Sequence, residues 1–119
     1  MTQELVQVDG ALITVRVKGL LRAADMAAMQ SLSLELIRQG KKPRVLILAE
    51  DFQGWDKRDD WNDIGFFVEH GNDIERMAFV GDERWKDDIF LFGGKGLRKT
   101  EMEFFPSSAL EEARNWLRA

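Results

Sequence analysis

The chain contains 119 residues, 45% of them hydrophobic, enough for a single domain over residues 1–119 that buries about two-thirds of its unfolded surface. It has no cysteine, which excludes disulfides, thiolate nucleophiles and cysteine-ligated metal centres, and no apolar stretch approaches the roughly 18 residues of a transmembrane helix. The net charge of −4 without a basic stripe argues against nucleic-acid binding, and the absence of signal-peptide features predicts a cytoplasmic protein.

The first part of the chain predicts a β-hairpin followed by a helix. Residues 5–8 and 12–17 are predicted strands joined by Asp9-Gly10, a dipeptide favoured in tight turns, and in the second strand apolar and polar residues alternate. Residues 24–39 carry apolar side chains at helical spacing, and Gly40 suits the left-handed position just past a helix. An edge hairpin leading into an amphipathic helix is therefore expected.

Residues 44–67 are the stretch around which the chain is organised. The unbroken apolar run 45–49 predicts a strand of a parallel sheet that is covered on both faces. Residues 50–55 are acidic and aromatic, and we expect them to form a loop at the carboxyl edge of that sheet. Ligands and partners of such sheets gather at this edge.

Acidic residues are concentrated just after this strand. Residues 50–63 hold six acids and two bases, a net charge of −4 within that segment alone. The acids can cap the following helix and suit its dipole. They can also form a negative surface that speeds association with a basic partner.

The rest of the chain alternates helices and strands. Helices are predicted over 59–69, where Trp61, Ile64, Phe67 and Val68 form the buried stripe, and over 83–92, where Asp82 is the cap. Strands are predicted over 74–80 and 101–105, and the glycine-rich residues 93–96 form a flexible turn. A terminal helix follows Pro106, where Ser107 or Ser108 can form a capping box.

The resulting order is ββαβαβαβα. Helices between successive strands imply right-handed crossovers and parallel pairing. The predicted fold class is α/β, with a mainly parallel mixed sheet, an N-terminal antiparallel hairpin and flanking helices.

The junctions of this pattern carry a recognisable series of residues. They are 52–55, Trp61, 74–82 leading to Trp85, 104–105 and 113–117. In order and spacing the series resembles the STAS-like family, and more closely its largely uncharacterised bacterial branch related to the sporulation anti-sigma-factor antagonist. The resemblance spans nearly the whole chain and implies a STAS-like fold and a non-catalytic regulatory or protein-interaction role.

The chain departs from the phosphorylation-switched members of that family at one point. Those relatives carry Ser or Thr at the start of the helix after the third strand, whereas this sequence has neither between Ser33 and Thr100. A kinase-operated switch is therefore not implied. The acids at 56, 59, 60 and 63 could imitate a permanently charged site, although helix capping explains them more simply.

Eight of the twelve aromatic residues lie within 52–67 and 85–92. Trp61 fits a helical core stripe and is predicted to be structural, whereas Trp55 is predicted to be functional. Aromatic residues off the stripes are candidates for an exposed patch or the lip of a pocket. The predicted ligand or partner face consists of Phe52, Trp55, Asp56, Asp59, Asp60, Phe66 and Phe90.

Two functions are compatible with this face. The first is a regulatory module that binds a protein partner and that pairs into a homodimer to cover its surplus aromatics. The alternative is a carrier or sensor of an apolar, lipid-like small molecule held between helices 59–69 and 83–92 and the sheet.

Catalytic and metal signatures are weak in this sequence. His70 has no nucleophile or second acid paired with it, and the acids at 50–63 lack the alternating spacing of a calcium loop. Residues 93–96 follow a helix and lack the Gly-Lys-Ser/Thr ending of a phosphate-binding loop. We therefore expect no enzymatic activity, no metal site and no cofactor.

Overall fold

The computed structural model describes residues 3–59, 61, 65–96 and 98–119, excluding the side chains of residues 3–7 and 65–67. Its strands are β1 (Gln3–Asp9), β2 (Leu12–Leu21), β3 (Arg44–Trp55), β4 (Arg76–Gly81) and β5 (Glu101–Pro106). Its α-helices are α1 (Ala23–Arg38), α2 (Gly65–His70), α3 (Lys86–Gly93) and α4 (Leu110–Arg118). Short 3-10 turns at Glu83–Trp85 and Ser107–Ala109 lead into α3 and α4.

The strands form one sheet in the order β1-β2-β3-β4-β5. β1 pairs with β2 in antiparallel fashion, and the remaining neighbours pair in parallel. The predicted α/β class and the order ββαβαβαβα are confirmed.

Side chains of β3 alternate between two apolar layers, as a strand covered on both faces requires. Val45, Ile47 and Ala49 belong to the layer that includes Met29 of α1 and Ile89 of α3. The intervening residues face the layer built with α4, which consists of Leu46, Leu48, Ala78, Val80, Ala113 and Leu117, with Leu12, Phe105, Leu110 and Trp116 packed against it.

Residues 50–55, predicted as a loop, continue β3. Phe52, Gly54 and Trp55 pair with residues 19–21 of β2, after an irregularity in the register. Asp51 adopts a left-handed conformation with φ of 51° at this point. The loop prediction was wrong because the longer β2 offers a partner strand, and because Phe52 and Gly54 alternate as buried residues among exposed polar ones.

Some of the predicted helix ends are confirmed and others are wrong. Gly40 has a φ of 80°, and Asp82 accepts a hydrogen bond from the Arg84 backbone N–H over 3.0 Å, as expected. The capping box at Ser107 or Ser108 is wrong, because the N-caps of the 3-10 turn and of α4 are Pro106 and Ala109, and neither forms a side-chain cap. Val68 was predicted to be buried, but it is 71% exposed on α2.

The carboxyl end of α4 is held by two arginines from the start of the central strands. Arg44 donates to the carbonyls of Leu117 and Ala119, and Arg76 donates to the carbonyl of Trp116. The Arg76 guanidinium also lies 5.0 Å from the Trp116 ring centroid. Cations at a helix C-terminus satisfy its last carbonyls and complement its dipole.

None of the helices in the described part of the chain combines the length and apolar content that a membrane crossing requires.

Candidate ligand cavity

A cavity of about 200 Å³ lies between the sheet, α1 and α3, and we refer to it as the central cavity. Its floor comes from β2, β3 and β4, including Val17, Val45, Ile47 and Phe79. Helix α1 contributes Met26, Met29, Gln30 and Ser33, and helix α3 contributes Ile89, Phe92 and Gly93. Unbranched methionine side chains adapt to ligands of different shape, so the α1 wall is suited to binding.

Aromatic rings form one wall of the central cavity. Trp55 lies 5.2 Å from Phe52 and 5.0 Å from Phe92, and Trp61 lies 5.4 Å from Phe92 between ring centroids. The Phe52–Trp55 and Trp61–Phe92 pairs are edge-to-face, the arrangement that ring quadrupoles favour. Trp61 and Phe92 are also partly exposed, so they form the border between the cavity and solvent.

The polar groups of the cavity wall are few. Ser33 Oγ donates to the Met29 carbonyl over 3.0 Å. Arg98 donates from Nε to the Gly71 carbonyl and from Nη1 to the Gly93 carbonyl, each over 2.9 Å, and burial lowers its pKa. In contrast, Trp55 Nε1 is buried without a hydrogen-bond acceptor among the described residues. A mostly apolar wall therefore includes one residue, Trp55, whose buried indole N–H has no acceptor among the described residues.

Four charged residues fix the segment that carries Trp61, and we call them the Arg22 cluster: Arg22, Asp56, Arg58 and Asp59. Asp56 is 3% exposed and accepts bonds from the backbone N–H and guanidinium of Arg58, with Arg22 at 3.3 Å. Asp59 accepts bonds from Arg22 over 2.9 and 3.1 Å. These arginines hold the pKa of both carboxyls below the ordinary range, Arg58 acting mainly on Asp56 and Arg22 on Asp59.

The Arg22 cluster links this segment to α1 and to the cavity wall. Asp59 also accepts a hydrogen bond from the Ala23 N–H over 2.8 Å, which satisfies a free amide at the start of α1. The Asp56 carbonyl accepts a hydrogen bond from Trp61 Nε1 over 2.9 Å. The charged cluster thereby positions one of the aromatic residues that border the central cavity.

A second groove lies at the carboxyl edge of β3 and β4, where the sequence predicted function. It measures about 550 Å³ and is polar, with Glu50, Asp51, Gln53, Asp82 and Arg84 in its walls. Within the ranges that the structure describes, no group of three or more His, Asp or Glu residues could hold a metal ion.

Comparisons with known proteins identify the family. A model of the SpoIIAA-like family matches residues 12–118. The chain belongs to the SpoIIAA-like family. A search of curated proteins gives no significant match.

Solved SpoIIAA-like structures share the fold of this chain. An uncharacterized protein from Shewanella loihica with a SpoIIAA-like fold is 19% identical with a TM-score of 0.69, over 97% of this chain and 91% of that chain. The anti-sigma factor antagonist SpoIIAA in its unphosphorylated form is 16% identical with a TM-score of 0.61, over 98% of both chains. The Bacillus cell fate determinant SpoIIAA in the phosphorylated form is 18% identical with a TM-score of 0.60, over 98% of this chain and 99% of that chain.

The predicted face of this SpoIIAA-like domain is divided among several environments. Phe52, predicted on the ligand or partner face, is 6% exposed and belongs to the cavity wall with Trp55. Asp56 and Asp59 are neither caps of the following helix nor free surface charges, because the Arg22 cluster engages both. Asp60 and the side chain of Phe66 lie outside the described residues.

Phe90 lies apart from the other predicted residues. Its ring packs 6.2 Å from Phe79 and 6.4 Å from Phe104, and Lys95 Nζ lies 4.1 Å from its centroid. His70 also lies elsewhere, with Nδ1 3.0 Å from the Asp73 carboxylate. Neither side chain is among the described residues that line the central cavity.

Sequence reasoning missed the contribution of α1 to the cavity. Helices 59–69 and 83–92 were expected to hold a ligand, and Trp61, Ile89 and Phe92 do line the cavity, but α1 supplies the methionine wall. The sequence signal for this wall is the pair Met26 and Met29 at helical spacing. The same spacing is expected of ordinary core residues, so it did not indicate a cavity.

Proposed function

We propose that this SpoIIAA-like protein is a non-catalytic regulatory module that senses or carries a small apolar molecule in the central cavity. The observation that supports the proposal is the cavity itself, which is lined by methionines, branched aliphatic residues and aromatic rings. Apolar ligand sites are concave and mostly hydrophobic, with a small number of placed polar groups. A ligand there would be held by burial of its apolar surface, worth about 25 cal/mol per Å².

Ligand binding would supply an input that phosphorylation does not supply here. One structural neighbour was solved in a phosphorylated form, and another is described as an anti-sigma factor antagonist. This chain has no Ser or Thr between Ser33 and Thr100, so the region after β3 cannot accept a phosphate on a hydroxyl of either residue. We propose that ligand binding in the cavity supplies the regulatory signal in this chain.

The output of such a module would be a protein contact made by α3. Leu91 and Phe92 are adjacent on this helix and are 83% and 41% exposed. Phe92 also lines the central cavity, so a bound ligand would contact a residue of the exposed surface directly. We propose that this surface binds a partner protein, including a second copy of the chain in a homodimer.

Native mass spectrometry of the freshly purified protein and thermal-shift measurements with toluene, indole and 1-octanol test the ligand proposal. We expect a retained small molecule or a raised Tm with at least one compound. Val45→Phe places additional bulk in the cavity and should abolish either signal. Val8→Phe makes the same change at an exposed position of β1 and should preserve it. A wild-type protein with no retained mass and no Tm change would contradict the proposal.

Light scattering tests the proposed contact between copies. The wild type should be a dimer at high micromolar concentration, and Leu91→Asp should be a monomer because a carboxylate is costly to bury in an apolar interface. A wild-type monomer at that concentration would contradict the homodimer but leave a different protein partner as the output.

A further inference from the structure

The unpartnered donor of Trp55 carries information about the ligand. Trp55 Nε1 is buried and has no acceptor among the described residues, although buried indole N–H groups usually find one. Among the described residues, its ring contacts are with Phe92, Phe52 and Trp85, with centroids 5.0, 5.2 and 6.3 Å away. Aromatic faces accept hydrogen bonds only weakly, so these neighbours are poor substitutes for an oxygen.

The same indole lines the central cavity. We propose that the ligand is a compact, neutral molecule with one carbonyl oxygen that accepts a hydrogen bond from Trp55 Nε1. This inference rests on the proposed function, because it names the chemical class of the molecule that the cavity holds.

The volume of the cavity limits the size of the ligand. A dry apolar cavity of about 150 Å³ binds benzene, and drug-sized ligands occupy about 300–1,000 Å³. The central cavity, at about 200 Å³, lies between these cases. It suits one ring, two fused rings or a short chain, and it is too small for a lipid with two acyl chains.

The electrostatics of the wall favour a neutral ligand. Arg98 is the cationic side chain among the described lining residues, and its guanidinium donates to the carbonyls of Gly71 and Gly93. A carboxylate would lose its water in a wall of methionines and aromatic rings, which is costly for an ion. A ketone, aldehyde, ester or amide carbonyl accepts the Trp55 hydrogen bond without that cost.

The two compounds 1-indanone and indane test this assignment, since they share a fused-ring shape and differ by a carbonyl oxygen. Binding of each would be measured by isothermal calorimetry with wild type, Trp55→Phe and Trp85→Phe. The wild type should favour the ketone, and this preference should fall about fivefold or more in Trp55→Phe, the loss of one ordinary hydrogen bond. Trp85 also has a buried Nε1 without an acceptor among the described residues, but it is not one of the described residues that line the central cavity. Trp85→Phe should therefore keep the preference.

A second measurement avoids dependence on the folding of any variant. In ¹⁵N-labelled wild type, 1-indanone should shift the Trp55 indole N–H proton resonance downfield, whereas indane should not. If wild type and Trp55→Phe bind both compounds with the same preference between them, the carbonyl assignment is overturned. It is also overturned if 1-indanone binds without shifting the Trp55 resonance. Either outcome leaves the cavity proposal intact. Failure of both compounds to bind would overturn the carbonyl assignment and would also count against the proposed function.

Discussion

Trp55 and Trp61 both line the central cavity, but their indole N–H groups differ in environment. Trp61 donates to the Asp56 carbonyl, whereas Trp55 has no acceptor among the described residues. Trp61→Phe should lower the free energy of unfolding by about 1 kcal/mol through the lost hydrogen bond. Trp55→Phe should be neutral or stabilising, because it removes a buried donor that lacks an acceptor. Urea unfolding followed by circular dichroism compares the two, and equal losses would contradict the structural role of Trp61 and the functional role of Trp55.

Asp56 should make the stability of the protein depend on pH in the acid range. The Arg58 guanidinium and N–H hold the pKa of Asp56 below the roughly 3.9 of an unfolded-state Asp. Because the folded pKa is the lower one, the carboxylate stabilises the fold fully above about pH 5, and this contribution is lost as the pH falls toward the folded pKa.

Asp56→Asn tests this pH dependence of stability, because it keeps the shape of the side chain and removes the group that titrates. It should be less stable than wild type at pH 7, because the Arg22 cluster loses a charge, and the difference should narrow on acidification to pH 3. Urea unfolding at pH 7, 5, 4 and 3 measures both proteins. Parallel curves over this range would show that Asp56 has a similar pKa in the folded and unfolded states.

Asp59 should act as the cap of α1, a helix that begins 36 positions earlier in the chain. Asp59→Ala removes the acceptor for the Ala23 N–H and the Arg22 ion pair, so the urea midpoint should fall and the first amides of α1 should exchange faster. Asp59→Asn keeps an acceptor and should lie between wild type and Asp59→Ala. Unchanged exchange at the start of α1 in Asp59→Ala would contradict this capping role.

The two arginines at the carboxyl end of α4 should contribute strongly to the docking of that helix. Arg76 contacts the Trp116 carbonyl, the Trp116 ring and Glu101. Arg76→Ala should lower the free energy of unfolding by about 1–3 kcal/mol, because it removes a hydrogen bond from a charged donor. Arg76→Lys should recover only part of this loss, since an ammonium lacks the planar fork and stacks less well. Equal stability of the wild type and Arg76→Lys in urea would show that the guanidinium geometry is unimportant.

The sequence predicted most elements because their signals are local. A few neighbouring residues are enough to predict the strand at 45–49, the turn at Asp9-Gly10 and the helix end at Gly40. The extension of β3 to Trp55 was missed, because acidic residues obscured the buried alternation of Phe52 and Gly54. The cap formed by Asp59 could not be predicted from neighbouring residues, since the Ala23 N–H is far away in sequence and only the fold brings the two together.

Charge is distributed more evenly over the folded molecule than along the chain. Residues 50–63 carry a net −4, but Arg16 pairs with Glu50, and Arg22 pairs with Asp56 and Asp59. Adding these two arginines to the segment changes −4 to −2. Asn at position 56 or 59 should therefore weaken the Arg22 cluster, because it removes a carboxylate that pairs with an arginine.

The central cavity shows the limit of prediction for the molecule as a whole. Its volume depends on the space that α1 and α3 leave above the sheet, which no residue pattern encodes. The sequence could indicate an excess of aromatic residues, and Phe52 and Trp55 were chosen for that reason. Whether those rings enclose a space or fill it is decided by tertiary packing.

The position of α4 has a consequence for biosynthesis. In the described chain, this helix covers the sheet face that carries Leu46 and Ala78, and it follows every strand in sequence. Translation proceeds at about 5–20 residues per second, so a nascent chain passes through a stage in which the sheet can assemble while that face remains open. Ribosome-bound chains in which a C-terminal linker holds residue 106 outside the exit tunnel and residues 110–118 inside it should therefore recruit chaperones that recognise apolar surface. A longer linker that also releases residues 110–118 should end that recruitment.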